Sequence, residues 1–521
     1  MMKKVYPYVF LLVIITAYGH AADPLTPLEK NNYSALSSYH EMMGYLEQLD
    51  TKSKILTMSI IGKSVQGRDI PALYFTLDKT FGNKRDKKPL VLIYCQQHGN
   101  EPSGKEAALI VARQLTERDR DILKYLDLIL VPQVNPDGAE LEQRKNANDM
   151  DLNRNHVILS EPESSALHTL FLKWMPEVTL DVHEYNAISK NWISNGFIKD
   201  AEEMIGGVTN LNIAPQIIAF TRNVFLLEFG RRVQADGFSF SRYIVGAPFE
   251  KQRIRHSTTA INDGRQSMGI YNSLSFLIEG KRYGRVINLI ERRTKGQVSA
   301  LTAFLETVVQ NREAISEIVH LSREQLMNAA PDKSDSVYIQ MDYFPDPGQK
   351  TFRIPVFDLS TWERVERELD NYEPRVRVKQ SIIRPYAYLF SREQERLIQL
   401  LLKHKIEMHI LAEDNNIELE VYTIMHLTPS LDEDKPSEYV DAASRSKAIS
   451  MKKGDVVVFL NQPAANLIPL MLEPQSTWGV VTERVGRKYR FAEFLQEGKQ
   501  YPIYRLMKAI NIKTEMLPDN E

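Results

Sequence analysis

Short apolar segments recur along the chain with few polar residues inside them. They cover Pro89 to Cys95, Leu126 to Val134, Val178 to Val182 and Leu274 to Ile278. A strand with one solvated face alternates polar and apolar residues, so these nearly continuous runs predict strands that are buried on both faces of a parallel or mixed sheet.

Stretches with helical spacing of apolar residues lie between and after these runs. The main ones are Pro102 to Leu115, Ser164 to Trp174 and a longer region from Gly296 to about Asn328. Pro102 suits the first turn of a helix, where the N–H that proline lacks is not needed. The alternation of strands and helices predicts an α/β fold in which a mixed, mostly parallel central sheet is flanked by helices.

Turn-forming residues follow the last helical region at Pro331 to Asp335 and Pro345 to Gly348, so we place a domain boundary near residue 330. The remainder shows one clear helix among candidate strands, at Arg392 to His404, Arg384 to Leu389, Glu418 to Met425 and Asp455 to Leu460. We expect a larger domain over residues 23–330 and a smaller α+β accessory domain over residues 331–521. The sequence of the smaller accessory domain shows no cluster of catalytic residues.

Composition narrows the possible partners. Across 521 residues, 65 Lys and Arg nearly balance 67 Asp and Glu, so no strong field would attract nucleic acid or an anionic membrane surface. Cys95 is the single cysteine, which excludes an intramolecular disulfide. Because Cys95 lies inside an apolar run, we expect a buried free thiol and not a nucleophile.

The N-terminus has the pattern of a secretory signal. Basic residues, an apolar run and small residues follow one another at Lys3 and Lys4, Val5 to about Tyr18, and Gly19, Ala21 and Ala22. A membrane anchor is the alternative, but the run is shorter than the roughly 20 residues that a spanning helix needs. We expect residues 1–22 to be removed and the mature protein to be periplasmic or extracellular, without stable membrane insertion.

A polar pair that could bind a metal follows the first apolar run. In Gln97-His98-Gly99-Asn100-Glu101, an imidazole and a carboxylate lie close together across a tight turn, between a buried strand and a helix. Such groups can converge on one ion, and the carboxyl edge of an open α/β sheet is where binding sites gather. By itself, the pair is also what a solvated turn would contain.

A second strand ends in the same way. The run from Thr179 to Tyr185 reaches His183, so two strand ends together offer His98, Glu101 and His183. Two imidazoles and one carboxylate leave a fourth tetrahedral position for water, which is the arrangement of a catalytic zinc ion. We expect one Zn²⁺ on these three side chains, since a mixed nitrogen and oxygen set favours that metal.

The fourth apolar run leads directly into Glu279. An ionised carboxylate is seldom placed at the end of a buried strand without a partner. A general base beside a zinc site would account for it, whereas a solvent-exposed strand end is the plainer alternative.

Polar segments lie between the metal-binding candidates, at Asn135 to Gly138, Gln143 to Asn146 and Asp149 to Asn155. The first is a turn signature, and the other two bring Arg144 and Arg154 near the expected metal site. Guanidinium groups in such a place suit an oxyanion and a carboxylate held through two hydrogen bonds, although a single arginine is more often a surface charge.

Taken together, these residues resemble the metallocarboxypeptidase family, also called funnelins, over roughly residues 30–330. The resemblance comprises, in the family's order, His98-Gly-Asn-Glu101, Asn135-Pro-Asp-Gly138, Arg144-Lys-Asn146, Asp151-Leu-Asn-Arg-Asn155, His183 and Glu279. It implies the family's fold and a secreted bacterial zinc carboxypeptidase that hydrolyses the C-terminal bond of peptides.

The resemblance also implies a role for each site residue. The zinc ligands would be His98, Glu101 and His183, and Glu279 would take the proton from the reacting water. The other roles would be stabilisation of the oxyanion by Arg144, binding of the substrate's terminal carboxylate by Asn153 and Arg154, and orientation of a ligand histidine, His98, by Asp151.

The segment before Glu279 departs from the family's pattern. The family has a loop rich in serine and glycine with a mobile tyrosine there, whereas this chain has Ala260 to Tyr271. Tyr271 is too close to Glu279, and Tyr243 lies in a different context, so the sequence does not place that tyrosine. Arg265, inside this segment, is a candidate substrate contact.

Three other functions remain open. An amidopeptidase acting on peptidoglycan stem peptides would use the same residues as a carboxypeptidase. A zinc deacylase of acylated amino acids shares the His-x-x-Glu pattern, but the Asn153-Arg154 pair and the large accessory region argue mildly against it. A catalytically silent binding module is disfavoured because the three ligands and the base are all present.

Overall fold

The computed structural model describes residues 24–82, 88–248, 253–328, 335–432, 435–482 and 491–517. The expected signal peptide at residues 1–22 and the expected domain boundary near residue 330 lie outside these residues. Within the described ranges, no helix is long and apolar enough to span a membrane bilayer.

The first part of the chain, up to residue 328, alternates strands and helices. Its described strands are β1 (Leu56–Lys63), β2 (Asp69–Phe75), β3 (Leu90–Cys95), β4 (Asp127–Val131), β5 (Val178–Asn186), β6 (Phe197–Lys199), β7 (Glu203–Gly207), β8 (Phe240–Arg242) and β9 (Leu274–Arg282). Its described α-helices are α1 (Pro27–Lys30), α2 (Tyr39–Lys52), α3 (Ser103–Thr116), α4 (Pro136–Glu140), α5 (Pro162–Trp174), α6 (Lys190–Ile193), α7 (Pro215–Phe220), α8 (Leu226–Ala235), α9 (Gly264–Gly269), α10 (Ile290–Gln310) and α11 (Arg312–Asn328).

These strands, apart from β6, form one mixed sheet in the order β1-β2-β4-β3-β5-β9-β7-β8. The central strands β4, β3, β5 and β9 are parallel, as are β7 and β8, while β1, β2 and the β9–β7 pair are joined antiparallel. Helix α10 packs on α3 and on β9, and α9 packs on β5 and β9. The predicted mixed, mostly parallel sheet flanked by helices is therefore confirmed.

Burial explains why the central strands lack polar alternation. Every residue of β3 and β4 is buried, and so is all of β5 except its last residue, Asn186. Cys95 ends β3 as a fully buried free thiol, and burial raises the pKa of that thiol. The sequence-based prediction of a buried, unreactive cysteine fits this environment.

The long helical region predicted from Gly296 to about Asn328 is divided in the structure. Helix α10 begins earlier than predicted, at Ile290, and Asn311 separates it from α11. The Asn311 side chain donates to the Thr307 carbonyl at 2.9 Å and to Glu228 Oε2 at 2.7 Å, so its amide competes with the continuing helix and turns toward α8.

The second part of the chain, from residue 335, is mostly antiparallel sheet. Its described strands are β10 (Ser336–Phe344), β11 (Phe352–Asp358), β12 (Glu363–Leu369), β13 (Arg375–Ile383), β14 (Ala387–Phe390), β15 (His409–Leu411), β16 (Asn415–Asp432), β17 (Lys435–Met451), β18 (Val456–Phe459), β19 (Ile503–Leu506) and β20 (Thr514–Met516), and its described α-helices are α12 (Glu395–Lys403) and α13 (Leu467–Leu472).

The strands of this part form further sheets. One has the order β17-β16-β19-β14-β18-β15-β20, a second pairs β10 with β13, and a third has the order β12-β11-β6. The predicted helix and three predicted strands correspond to α12, β14, β16 and β18. The α+β character of this smaller region is thus confirmed.

The two parts of the chain share structure. Strand β11 pairs antiparallel with β6, and an apolar cluster combines Trp192 and Phe197 from the first part with Phe352 and Ile354 from the second. The division at residue 330 into a catalytic and an accessory domain remains a prediction, and the shared core indicates that each part stabilises the other.

Candidate active site

The carboxyl ends of three neighbouring parallel strands meet at one edge of the central sheet. There, β3 leads to His98 and Glu101, β5 carries His183, and β9 carries Glu279. His183 and Glu279 are register partners in the β5–β9 ladder. The parallel order β3-β5-β9 therefore brings together residues that are far apart in sequence.

A tight turn after β3 aims His98 and Glu101 at the same point. Gln96 adopts a left-handed φ of 56°, its side-chain amide donates to the Gly99 carbonyl at 2.8 Å, and the Glu101 N–H donates to the His98 carbonyl at 3.1 Å. A Cβ on Gly99 would lie 2.0 Å from the backbone carbon of Gly138, so only glycine permits this approach.

His98, Glu101 and His183 form a compact group of possible metal ligands, whose ligand atoms all lie within 4.8 Å of one another. Nδ1 of His98 and Nδ1 of His183 are 3.1 Å apart, and each lies 2.9 Å from an oxygen of Glu101. Two ligand atoms on one tetrahedral zinc lie about 3.4 Å apart. The spacing and the donor set therefore fit a zinc ion.

Charge within this group also favours a cation. Burial opposes ionisation of Glu101, but the two histidines outweigh it and hold the pKa of the carboxyl well below its usual range. Burial likewise opposes protonation of His183, but Asp181 and Glu101 raise the pKa of that imidazole. A metal ion would supply the positive charge that a proton otherwise provides here.

Each ligand histidine is held by a carboxylate on its far side. Nε2 of His98 lies 3.2 Å from Asp151 Oδ1, as the resemblance implied, and Nε2 of His183 lies 2.8 Å from Asp181 Oδ1. Gln97 donates to both oxygens of Asp181, at 3.0 and 2.9 Å. With Nε2 held in this way, Nδ1 of each ring faces the centre of the group.

Glu279 lies beside this group and is only partly buried. Burial raises the pKa of Glu279 to about 7, and Glu101 also raises it, although His183 acts in the opposite direction. A carboxylate with such a pKa can accept and release a proton near neutral pH, which is what a general base requires.

Arg144 lies against the same group. Its Nη1 is 3.5 Å from Glu101 Oε1 and 3.2 Å from His98 Nδ1, while its Nε donates to Asp151 Oδ2 at 3.0 Å. The Arg144 side chain is 44% exposed, so its guanidinium can contact a molecule in the cleft without a rearrangement of the site.

Asn153 and Arg154 also face the site. The Gly264 N–H donates to Asn153 Oδ1 at 2.8 Å, which leaves Asn153 Nδ2 directed toward His183 Nε2 at 3.0 Å. Arg154 Nη1 donates to the Asn153 carbonyl at 2.6 Å.

A cleft of about 780 Å³ connects these residues. The expected site residues that line it are His98, Glu101, Arg144, Asn153, Arg154, His183, Arg265 and Glu279. Asp151 is the one expected residue that does not line the cleft, and it contacts the site through His98 and Arg144.

The family profile described as "Zinc carboxypeptidase" matches residues 42–188. This span includes His98, Glu101 and His183 and the arginines between them, and it ends before Glu279. Within this span the chain is similar to the zinc carboxypeptidase family. This match and the carboxypeptidase relatives indicate that the chain is a metallopeptidase.

Proteins with similar sequences are named as carboxypeptidases. "Carboxypeptidase 2" of Trichophyton rubrum is 24% identical over 484 residues, which cover 89% of this chain and 86% of that protein. "Carboxypeptidase E" of Caenorhabditis elegans is 34% identical over 120 residues, 19% of this chain and 25% of that protein. The crystal structure of a putative carboxypeptidase A from Shewanella denitrificans matches 54% of this chain and 71% of its own, with 15% identity and a TM-score of 0.42.

The structure separates the tyrosines near the site. Tyr271 is 2% exposed and packs against Phe171, away from the cleft, whereas Tyr243 and Tyr185 line it. Burial raises the pKa of Tyr243, and so does the nearby Glu279. Of the two tyrosines considered from the sequence, Tyr243 therefore faces the cleft and Tyr271 does not.

Sequence reasoning missed two charged residues near the metal-binding group. Asp181 lies within β5, two positions before His183, and the period of two along a strand could have indicated that both face the same side. Lys199 lies in β6 with its ammonium 4.5 Å from the centre of the Tyr185 ring, and burial lowers its pKa to about 8. No local pattern signals Lys199, because its strand is short and pairs with β11 of the second region.

Proposed function

We propose that the chain is an exported metallocarboxypeptidase that removes the C-terminal residue of peptides with one zinc ion on His98, Glu101 and His183. The observation that carries the proposal is the convergence of these three side chains beside Glu279. Export is supported by the signal pattern of residues 1–22.

The metal ligands would be Nδ1 of His98, Nδ1 of His183 and the Glu101 carboxylate, because these atoms face one another at ligand-like spacings. When bound, the ion supplies Lewis acidity, which polarises a carbonyl and lowers the pKa of a water molecule. The Asp151 and Asp181 carboxylates would keep both rings in the required orientation and tautomer.

Glu279 would act as the general base and then as the general acid. Its carboxylate takes a proton from the attacking water and later donates that proton to the leaving amine. The position of Glu279 beside His183 in the β5–β9 ladder supports this role, as does its pKa of about 7.

The arginines of the cleft would bind the negatively charged parts of the substrate. Arg144, next to Glu101, would stabilise the oxyanion that forms when water attacks the carbonyl. Arg154 and Asn153, which line the same cleft, would bind the terminal carboxylate and so restrict cleavage to the last peptide bond.

The experiment is a digestion of matched peptides by the zinc-reconstituted protein, followed by mass spectrometry. Peptides with a free C-terminus should lose single residues from that end, whereas the same peptides with an amidated C-terminus should be cleaved at least about tenfold more slowly, because a hydrogen-bonded charge is lost. Cleavage within the chain, or equal cleavage of amidated peptides, would contradict the proposal. Muropeptides belong in the same panel, since their exclusive cleavage would identify an amidopeptidase instead.

A further inference from the structure

Arg265 is a buried cation whose hydrogen-bonding groups are only partly used. Arg265 is the second residue of α9 and is only 1% exposed, yet it lines the cleft. Its Nη2 donates to Ser257 Oγ and lies 3.4 Å from Asp263 Oδ2. Its Nε and Nη1 have no hydrogen-bond partner among the described residues.

The charge of Arg265 is weakly compensated. Asp263 is the one described carboxylate within ion-pair distance, and its other oxygen accepts the Gln266 N–H at 2.7 Å to cap α9. A buried guanidinium with unused N–H groups is costly unless a further acceptor completes it.

Tyr243 and Gly206 lie next to the Arg265 guanidinium. The guanidinium lies 5.8 Å from the centre of the Tyr243 ring. A Cβ on Gly206 in β7 would lie 3.2 Å from Nη1, so glycine at this position avoids a tight contact with this nitrogen. Because Arg265 lines the cleft, an acceptor that enters the cleft can approach its guanidinium.

Arg265 is also connected to the reacting end of the cleft. The preceding residue, Gly264, donates its N–H to Asn153, whose amide lies 3.0 Å from His183. Leu277 lines the cleft as well and precedes Glu279 by two positions, on the same face of β9. Since Glu279, Leu277 and Arg265 line one cleft, a substrate residue held beside Glu279 can extend toward Arg265.

Two other arginines of the cleft have acidic partners at shorter distances. Arg253 pairs with Asp342 at 3.0 Å and with Glu373 at 3.1 Å, and Arg144 pairs with Asp151. Of these cleft arginines, Arg265 combines the deepest burial with the least satisfied guanidinium.

We propose that the cleft selects substrates whose terminal residue has a carboxylate side chain, glutamate or aspartate, and that Arg265 pairs with this carboxylate. The proposal rests on the proposed carboxypeptidase function and specifies its substrate class. Arg154 and Asn153 then bind the main-chain carboxylate, while Nε and Nη1 of Arg265 bind the side-chain carboxylate.

The test compares peptides that differ only in their last residue: glutamate, glutamine, leucine or lysine. Glutamate and glutamine have the same shape, so their kcat/KM ratio isolates the charge. We expect kcat/KM for glutamate to exceed that for glutamine by about 10- to 100-fold, because hydrogen bonds to charged groups contribute a free energy that corresponds to such a ratio. Preference for leucine or lysine over glutamate would overturn the proposal.

Variants of Arg265 assign the preference to this side chain. Arg265→Met should lower kcat/KM for the glutamate peptide at least about tenfold more than for the glutamine peptide. Arg265→Lys should retain part of the glutamate preference. Arg232→Gln, which changes net charge equally at a surface ion pair with Glu306, should leave the ratio unchanged. An equal loss on all peptides in Arg265→Met and Arg265→Lys would instead indicate a role in folding or in binding the main-chain carboxylate.

A binding measurement separates this proposal from the proposed function. Isothermal titration of zinc-loaded Glu279→Gln with the glutamate and glutamine peptides should show at least about tenfold tighter binding of glutamate, whether or not the wild type hydrolyses either peptide. Equal binding would refute the selection of acidic residues. Absence of hydrolysis of every peptide by the wild type, with selective binding retained, would refute only the carboxypeptidase function.

Discussion

Nδ1 of His98 lies 3.1 Å from Nδ1 of His183. Two ring nitrogens can approach this closely only when a proton or another cation lies between their lone pairs. Since Glu101 also directs both of its oxygens at these nitrogens, the arrangement is better suited to a metal ion than to a single proton.

The carboxylates behind the ligand rings should control zinc affinity. We expect Asp181→Asn and Asp151→Asn each to weaken zinc binding by about 10- to 100-fold, because the rings lose the acceptors that fix their tautomer and orientation. Competition with a chromogenic chelator measures the dissociation constant. Asp69→Asn, at a surface ion pair with Lys63, is the matched control. Wild-type affinity in Asp181→Asn would show that this carboxylate does not position His183.

Glu279 should be needed for catalysis and not for metal binding. Glu279→Gln is expected to lower kcat by about 10²- to 10⁴-fold, because the amide cannot accept and return a proton. Zinc content, measured by elemental analysis, should match that of the wild type. Glu306→Gln serves as a surface control. Near-full activity in Glu279→Gln would assign the base to another group.

The metal-free protein should show the raised pKa of Glu279 in its stability. The folded state holds this proton up to a pH of about 7, whereas the unfolded chain releases it at lower pH, so stability falls as pH rises between these values. Glu279→Gln carries no charge at any of these pH values. The melting temperature of Glu279→Gln minus that of the metal-free wild type should therefore be larger at pH 8 than at pH 5. The same difference at both pH values would mean that Glu279 has an ordinary pKa.

The second region should be required for stability of the first. Removal of everything after residue 328 would expose the cluster that contains Trp192, Phe197 and Ile254, since Phe352 and Tyr372 cover it. Exposure of several large side chains costs about 1.5–3 kcal/mol each, which is comparable with the net stability of a domain. We expect residues 24–328 alone to melt at a lower temperature in circular dichroism or not to fold. A cooperative transition at the temperature of the full chain would show two independent domains.

The central sheet and the group of possible metal ligands were predictable because each depends on local pattern. The runs that became β3, β5 and β9 lack alternation, and polar residues follow where each run ends. Parallel strands place their carboxyl ends at one edge, so the sequence could assign His98, His183 and Glu279 to one edge of the sheet. The adjacent order β3-β5-β9 then makes them neighbours.

Other features depend on contacts between distant segments and could not be predicted. The hairpin of β16 and β17 extends well beyond the predicted strand Glu418 to Met425, because pairing between the two strands, and not local pattern, sustains it. Lys199 reaches Tyr185 only because β11 of the second region pairs with β6. The sequence suggested Arg265 as a substrate contact, but its deep burial and unused donors depend on the packing around α9.

Titration of the metal-free protein with zinc, while the release of a C-terminal residue is followed, tests the central claim most directly. Activity should rise in proportion to added zinc and reach its maximum at one equivalent per chain, and His183→Ala should gain little activity over the same range. Full activity of the metal-free protein, or restoration of His183→Ala to the wild-type level by one equivalent of zinc, would contradict a catalytic zinc ion on His98, Glu101 and His183.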